Sequence, residues 1–257
     1  MKIIPIALNT FRESVRDRVL YNLILFVLLL VGASIFLGEL SMSQESKIIV
    51  DIGLYAMRFF GVLIAIFIGI GLVYKEIDKR TIYSLLAKPL HRHEFILGKY
   101  FGLCLTLFVN SLVMALGISL ALMFVKRGAD PMQVKIWPAA YLIFLELMVM
   151  TAISLLFSSF SSPALSALLA FFLFVIGTNS ADLKLFAATL SSGVVKIVCQ
   201  ALYYMLPNLD NFNFIMATAH GNTPPLQMVG AATMYAALYI SALLAATVMV
   251  FQRRNFK

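Results

Sequence analysis

Hydrophobic residues occur along this chain in long runs that short charged segments separate. A helix of about 20 mostly apolar residues is needed to cross a hydrocarbon core about 30 Å thick. Six runs reach or approach that length, so the pattern predicts an all-helical membrane protein with six transmembrane helices. The predicted spans are residues 19–37, 52–74, 100–125, 136–160, 163–181 and 228–252.

Two further segments are predicted to lie at the membrane surface, one at each face. Residues 182–227 are partly apolar but contain Lys196 and Pro207, which favours a pair of short interfacial or re-entrant helices on the extracytoplasmic side. Residues 1–18 predict an amphipathic elbow helix rather than a cleavable signal peptide, because charges separate them from the first apolar run. The apolar positions of that helix are Ile3, Ile4, Ala7, Leu8, Phe11 and Val15. Residues 1–257 would then form a single transmembrane domain.

The composition excludes an ordinary soluble domain, and the distribution of basic residues predicts the orientation of the chain in the membrane. Apolar residues make up 61% of the chain and charged residues 12%, against about 45–50% and about 25% in soluble proteins. With six spans, thirteen of the twenty Lys and Arg residues fall on the side that carries both termini. Because basic residues collect in cytoplasmic segments, both termini are predicted to be cytoplasmic, and a seventh span through Lys196 is disfavoured. The net charge of +8 therefore indicates topology rather than a nucleic-acid partner.

No catalytic, cofactor or metal motif is recognisable in the sequence. The pair Gly98-Lys99 lacks the glycine spacing of a phosphate-binding loop, and no GxSxG nucleophile elbow is present. The histidines, His91, His93 and His220, form no HExxH motif, and His91 and His93 are interpreted as solvated loop residues. The two cysteines, Cys104 and Cys199, are interpreted as buried thiols. The chain is therefore predicted not to be an enzyme and to hold no cofactor or metal of its own.

Three polar residues lie inside predicted spans, where such residues are costly and commonly functional. At 1.5 Å per residue, Arg58 lies about 9 Å below the outer surface, and Glu146 and Asn110 lie about 15 Å deep. Arg58 is expected to snorkel outward or to pair locally. Glu146 is expected to bond to Asn110 or Arg58, either fixing helix packing or lining a translocation path.

The cytoplasmic connection at residues 74–99 has no linker-like composition. Thr81 can cap a short helix over residues 81–87 with an apolar face, and Pro89 ends it. Such a helix, held between two spans by basic residues, has the form of a docking element for a cytoplasmic partner, although it could also lie flat on anionic headgroups. Beyond it, Gly98 and Gly102 form a pair that lets another helix approach closely.

Two groups of residues form recognisable patterns, one in the loop at residues 74–99 and one at residues 203–213. The loop pattern consists of Glu76, Arg80, Thr81, Leu85, Leu86, Pro89 and Arg92, and the second includes Tyr204, Pro207, Asn208 and Phe212. The loop pattern resembles that of type-two ABC exporter permeases, in which the loop joins the second and third spans. Residues 203–213 resemble a segment found in the group of these permeases that includes copper-enzyme maturation permeases.

The resemblance implies a permease subunit in the cytoplasmic membrane of a prokaryote. Its partners would be a second permease, commonly a copy of itself, and a cytoplasmic ATPase. The ATPase, and not this chain, would bind ATP and Mg and hydrolyse the ATP. Residues 81–87 would be the coupling helix, and the tight loop 158–162 a smaller second contact.

Two alternatives remain from the residues themselves. One is an ion-coupled secondary transporter with Glu146 as its coupling carboxylate, and the other is a non-transporting membrane scaffold or assembly factor. The sequence identifies no substrate.

Overall fold

The fold is taken from a computed structural model, which describes residues 3–16, 44–78, 92–128, 130–180 and 206–253, with nine positions between 21 and 36. These residues form helices joined by turns, and no strand occurs among them. The helices are α1 (Ile3–Val15), α2 (Glu45–Asp78), α3 (Arg92–Lys126), α4 (Pro131–Ser158), α5 (Pro163–Thr178), a 3₁₀ turn (Leu209–Phe212), α6 (Ile215–Ala219) and α7 (Leu226–Arg253).

Four of the described helices are long and apolar enough to cross a membrane. These are α2, α3, α4 and α7, and they coincide with the second, third, fourth and sixth predicted spans. The fifth predicted span is the apolar helix α5, which at 16 residues is shorter than the predicted run because it ends at Thr178. The first predicted span lies largely outside the described residues.

The ends of α4 and α5 follow local capping chemistry. The side chain of Asp130 accepts a hydrogen bond from the Met132 backbone N–H at 2.8 Å, and a proline occupies the first turn, where it sacrifices no helical hydrogen bond. Helix α5 likewise begins with Ser162 followed by Pro163, but the Ser162 side chain makes no hydrogen bond to the first turn. The turn between the two helices is tight, and Ser161 Oγ donates to the Phe157 carbonyl at 3.0 Å.

Helices α2 and α4 form the centre of the bundle, and α3 and α7 lie at its periphery with most of their length exposed. The two central helices approach closely at small residues: a Cβ on Gly61 would lie 2.7 Å from Leu147 Cδ1, and one on Gly69 would lie 3.2 Å from Ser154. Large apolar side chains point outward from the peripheral helices, as expected for surfaces in contact with lipid. Among them are Phe101, Phe108, Leu120 and Phe124 of α3 and Met234, Leu238 and Met249 of α7.

The N-terminal helix α1 packs on the first turns of α3, through Gly98 and Gly102. A Cβ on Gly102 would lie 2.6 Å from the Ala7 carbonyl oxygen, so only a glycine permits this approach. The α1 face that is buried there includes Thr10 and Ser14. The structure therefore identifies α1 as the helix that approaches the predicted glycine pair.

The buried face of α1 differs from the apolar face predicted from its sequence. Ile4 and Leu8 belong to the predicted apolar face and are exposed on the outside of the bundle, where a membrane-surface helix presents such residues to lipid. The close contact with α3 selects small side chains, and Ser14 satisfies its hydroxyl by donating to the Thr10 carbonyl at 2.8 Å. The larger apolar residues are left free to contact lipid.

An ion pair adds to the contact between α1 and α3. The Nζ atom of the buried Lys99 lies 3.6 Å from Glu13 Oε2. It also lies 5.9 Å from the centroid of the Phe95 ring, within the range of a cation–π interaction. The ion pair with Glu13 joins α1 to the first turns of α3, whereas the contact with Phe95 lies within α3 itself.

Substitution of Gly102 tests this helix contact. Gly102→Ala should lower the free energy of unfolding by about 1–3 kcal/mol, because the added methyl group must displace the α1 backbone. Gly230→Ala is the control, since a Cβ at this exposed α7 position meets nothing within 4 Å, and it should raise stability by about 0.5–1 kcal/mol. Unfolding of the purified protein in detergent measures both. Equal effects of the two substitutions would contradict the close contact.

Candidate functional site

The polar centre of the bundle is an ion pair between α2 and α4. Arg58 Nε donates to Glu146 Oε2 at 2.7 Å, and Arg58 Nη2 donates to Glu146 Oε1 at 2.7 Å. The residues are 5% and 0% exposed, respectively. This is the planar, two-bond geometry that makes arginine–carboxylate pairs strong and directional.

Helix α5 completes the surroundings of the guanidinium group. Arg58 Nη2 lies 3.3 Å from Thr178 Oγ1, to which it donates. The Cζ atom of Arg58 lies 5.6 Å from the centroid of the Phe174 ring. The phenyl face is partly negative, so it offsets part of the cost of burying a cation. One arginine side chain thus joins α2, α4 and α5.

The structure shows which of the two partners considered for Glu146 binds it. Glu146 pairs with Arg58, and Arg58 points into the protein instead of snorkelling to the surface. Asn110 is also buried, but its Nδ2 atom has no hydrogen-bond partner among the described residues. The membrane depths derived from the sequence could not show whether Glu146 pairs with Arg58 or with Asn110. The arginine side chain is long enough to bridge the difference in depth between Arg58 and Glu146.

The segment that follows the undescribed residues 181–205 is anchored beside this ion pair. Ser180 Oγ donates to Asn208 Oδ1 at 2.6 Å, and the Asn208 backbone N–H donates to Tyr235 OH at 2.8 Å. A Cβ on Gly177 would lie 2.7 Å from the Pro207 carbonyl oxygen. Hydrogen bonds and close packing therefore hold residues 207–208 between the end of α5 and α7.

The rest of this segment enters the core. Leu209, Phe212 and Ile215 are almost fully buried, and the Phe212 and Tyr235 rings lie 6.1 Å apart. A 3₁₀ turn and the short helix α6 lie in the described part of the predicted segment 182–227, whereas residues 182–205, on which the predicted pair of interfacial helices rests, lie outside the described residues. We call residues 207–212 the inserted segment. It contains three of the residues singled out from the second family motif, Pro207, Asn208 and Phe212.

Several contributors to this centre were not identified from the sequence. Arg58 and the inserted segment are held by Thr178 at the end of α5, by Ser180 two residues beyond it, and by Tyr235 of α7, which is distant in sequence. The sequence did contain a sign of a polar site, because Thr178 to Ser180 form a polar run at the end of an apolar helix. Nothing in that run indicates that its side chains would bind Arg58 and Asn208.

Most of the predicted coupling residues lie outside the described part of the chain. Arg80, Thr81, Leu85, Leu86 and Pro89 are in the undescribed segment 79–91, and Tyr204 and Cys199 also fall outside. Glu76 lies in the last turn of α2, and Arg92 is the first residue of α3. Cys104 is a buried free thiol, as expected.

The described residues offer no evident metal centre, since no group of three or more His, Cys, Asp or Glu side chains among them could hold an ion. Their polar centre consists of a charge-neutral pair within a helical bundle, together with hydroxyl and amide groups that bind one another. These features define a multi-pass helical membrane protein with a tightly bonded intramembrane polar centre.

Comparison with known families identifies the class more closely. The family described as ABC-2 family transporter protein matches residues 4–256. The chain therefore belongs to the ABC-2 family, as a permease component of an ABC transporter, and membership implies an ATPase partner. A search of curated proteins gives no match.

Removal of one partner tests the ion pair. Glu146→Ala should destabilise the protein by about 3–5 kcal/mol, because it leaves Arg58 buried without a counter-charge. The double variant Arg58→Met/Glu146→Leu should recover most of that loss, since it removes both charges and keeps the volume. Unfolding in detergent micelles measures these differences.

A more exposed ion pair provides the control. Lys126 Nζ lies 3.7 Å from Glu45 Oε2, and the side chains are partly exposed. Glu45→Ala should cost no more than about 1 kcal/mol. If Glu146→Ala cost no more than Glu45→Ala, the buried pair would not be the element that holds α2, α4 and α5 together.

Proposed function

We propose that this chain is the membrane-spanning subunit of an ATP-driven exporter, which moves a substrate outward while a separate subunit hydrolyses ATP with Mg. The family match over residues 4–256 carries the proposal. The four described membrane-length helices and the sequence resemblance at residues 74–99 support it. In this division of labour the chain needs no catalytic site or cofactor.

The finer features of the proposal come from sequence. The basic residues favour six spans with both termini in the cytoplasm, in the cytoplasmic membrane of a prokaryote. The resemblance at residues 203–213 favours the group that includes copper-enzyme maturation permeases. A single domain of this kind would pair with a second copy of itself, within a surrounding of membrane lipids.

The lengths of α2 and α3 support coupling through residues 81–87. Helix α2 is 34 residues long and α3 is 35, and the segment 79–91 joins them. A continuous helix transmits a displacement along its axis because its backbone hydrogen bonds form an unbroken ladder. An ATPase bound at residues 81–87 would therefore act on the bundle through both helices.

The ion pair is well placed to carry such a displacement further. Arg58 lies on α2, and its partners lie on α4 and α5, next to the inserted segment. Since Glu146 is completely buried, we assign the pair to transmission between helices and not to direct contact with substrate. Movement of α2 would then reach the extracytoplasmic end of the bundle.

This geometry favours the ATP-driven permease over an ion-coupled carrier. A coupling carboxylate must exchange protons or ions with water, whereas Glu146 makes two short bonds to Arg58 and has no exposed surface. A non-transporting scaffold would share the same packing. It is distinguished by whether an ATPase binds at the cytoplasmic loop and responds to the permease.

Cysteine cross-linking tests the docking of the ATPase. In a background with Cys104→Ala and Cys199→Ser, Leu85→Cys should cross-link to the co-purified ATPase, because residues 81–87 would contact it directly. Arg127→Cys is the control, since Arg127 is exposed in the turn between α3 and α4, at the opposite end of α3, and it should give no adduct. Gel mobility and mass spectrometry identify the product. Labelling of Leu85→Cys by lipid probes alone would remove the docking role.

Glu146→Gln tests transmission through the ion pair. Glutamine keeps the shape and can still accept a hydrogen bond, but it loses the charge-assisted strength of the pair. The variant should assemble normally, while the stimulation of ATP hydrolysis by the permease should fall several-fold. The measurement compares ATPase activity of the complex with that of the isolated ATPase. Unchanged stimulation in a stable variant would restrict Glu146 to a packing role.

A further inference from the structure

An aromatic-walled cleft opens on the outer surface of the bundle between α3 and α4. Its volume is about 140 Å³. Trp137, Tyr141 and Phe144 lie at positions i, i+4 and i+7 of α4, and they face Phe108 and Leu112 of α3 across the opening. Because Trp137 is 43% exposed and Phe108 is also exposed, the cleft is accessible from the lipid side.

The floor of this cleft is made of small residues. Ser111 and Ala115 of α3 meet Ala140 of α4, and all three are buried. Small side chains between large aromatic ones leave a recess that no neighbouring side chain fills. The walls are fixed in place: the Phe108 and Phe144 rings pack edge to face at 5.6 Å, and Tyr141 OH lies 3.2 Å from Thr233 Oγ1.

One polar group in this apolar recess lacks a partner. Ser111 is 5% exposed, and its Oγ atom makes no hydrogen bond among the described residues. Other hydroxyl groups in the helices bond back to a carbonyl four residues earlier, as Thr106 Oγ1 does to Gly102 at 3.0 Å and Ser154 Oγ does to Met150 at 2.8 Å. A buried hydroxyl without a partner is unfavourable. Bonding to a ligand in the cleft would require rotation about the single χ1 torsion of Ser111, whose staggered wells are few.

We propose that this cleft binds a single-ring aromatic molecule that carries one hydroxyl group, a ligand of the phenol class. The ring would lie among the aromatic walls, and the hydroxyl would bond to Ser111 Oγ. The volume fits, since an engineered cavity of about 150 Å³ binds benzene. Offset or edge-to-face contact with the surrounding rings favours an aromatic ligand.

The physical argument also separates this ligand from ordinary lipid. An acyl chain gains no hydrophobic free energy by entering an apolar cleft, because the bilayer around it is equally apolar. Preference must therefore come from hydrogen bonding and ring geometry, and an acyl chain provides neither. The inference goes beyond the proposed function, and it concerns the permease without its ATPase.

The single tryptophan of the chain provides the measurement. All tryptophan emission comes from Trp137, so quenching by a brominated ligand reports occupancy of the cleft. Purified protein in lipid nanodiscs is titrated with 4-bromophenol and with bromobenzene, at concentrations expressed per mole of lipid. We expect saturable quenching by both compounds, with binding of 4-bromophenol about five-fold tighter, the value of one net hydrogen bond.

Three variants assign the binding to the cleft. Ser111→Ala should remove the preference for 4-bromophenol while leaving bromobenzene binding unchanged. Ala115→Leu should fill the floor and abolish saturable quenching by both compounds. Ser119→Ala is the matched control, because Ser119 Oγ is also buried without a partner on α3 but does not line the cleft, and it should change neither value.

Three results would overturn the proposal. Quenching that rises linearly without saturation would show only ligand dissolved in the bilayer. An unchanged preference in Ser111→Ala, in protein of normal thermal stability, would exclude the hydrogen bond. Saturable quenching that persists in Ala115→Leu would place the ligand elsewhere. None of these results depends on an ATPase, so they are distinguishable from a failure of the proposed transport function.

Discussion

The pairing of Arg58 with Glu146 is the interaction on which the rest of the bundle depends. Transferring two charges out of water costs several kcal/mol for each, and only good geometry with further hydrogen bonds recovers that cost. The structure supplies two 2.7 Å bonds, a threonine hydroxyl and an aromatic face. Because these groups belong to α2, α4 and α5, the ion pair restricts how those helices can be placed. The inserted segment then packs on the end of α5, at Gly177 and Ser180, so its position depends indirectly on the same pair.

Small residues set the other contacts because helices in lipid gain little from hydrophobic burial. Gly61 and Gly69 bring α2 against α4, and Gly98 and Gly102 bring α1 against α3. Where small residues meet without filling the space, as at Ala115 and Ala140, a recess remains open to the lipid. Close packing at the centre and incomplete packing at the surface thus follow from the same use of small side chains.

Hydropathy predicted the long helices because each depends on its own residues. Four spans could be placed from sequence, and the helix start at Asp130 follows a local capping rule. Contacts between helices were harder to predict from the sequence. The periodicity of α1 predicted an amphipathic surface helix whose apolar face includes Ile4 and Leu8, but it could not show that Thr10 and Ser14 would be the residues buried against α3 near Gly102. The rarity of charges within spans identified Arg58 and Glu146 as a possible pair, whereas the roles of Thr178 and Tyr235 depend on tertiary contacts that no local pattern encodes.

The buried pair also constrains how an ATP-driven permease of this fold could work. Glu146 has no exposed surface in this conformation, so any path that passed between α2 and α4 at this level would require the pair to separate. Breaking a buried pair costs about 3–5 kcal/mol when one charge is left uncompensated. The state with the two side chains separated is therefore rarely populated at thermal equilibrium. A rigid movement of α2, α4 and α5 together avoids that cost and still displaces the inserted segment held by Ser180 and Tyr235. The geometry therefore favours movement of these helices as one unit, with the pair intact throughout the ATP cycle.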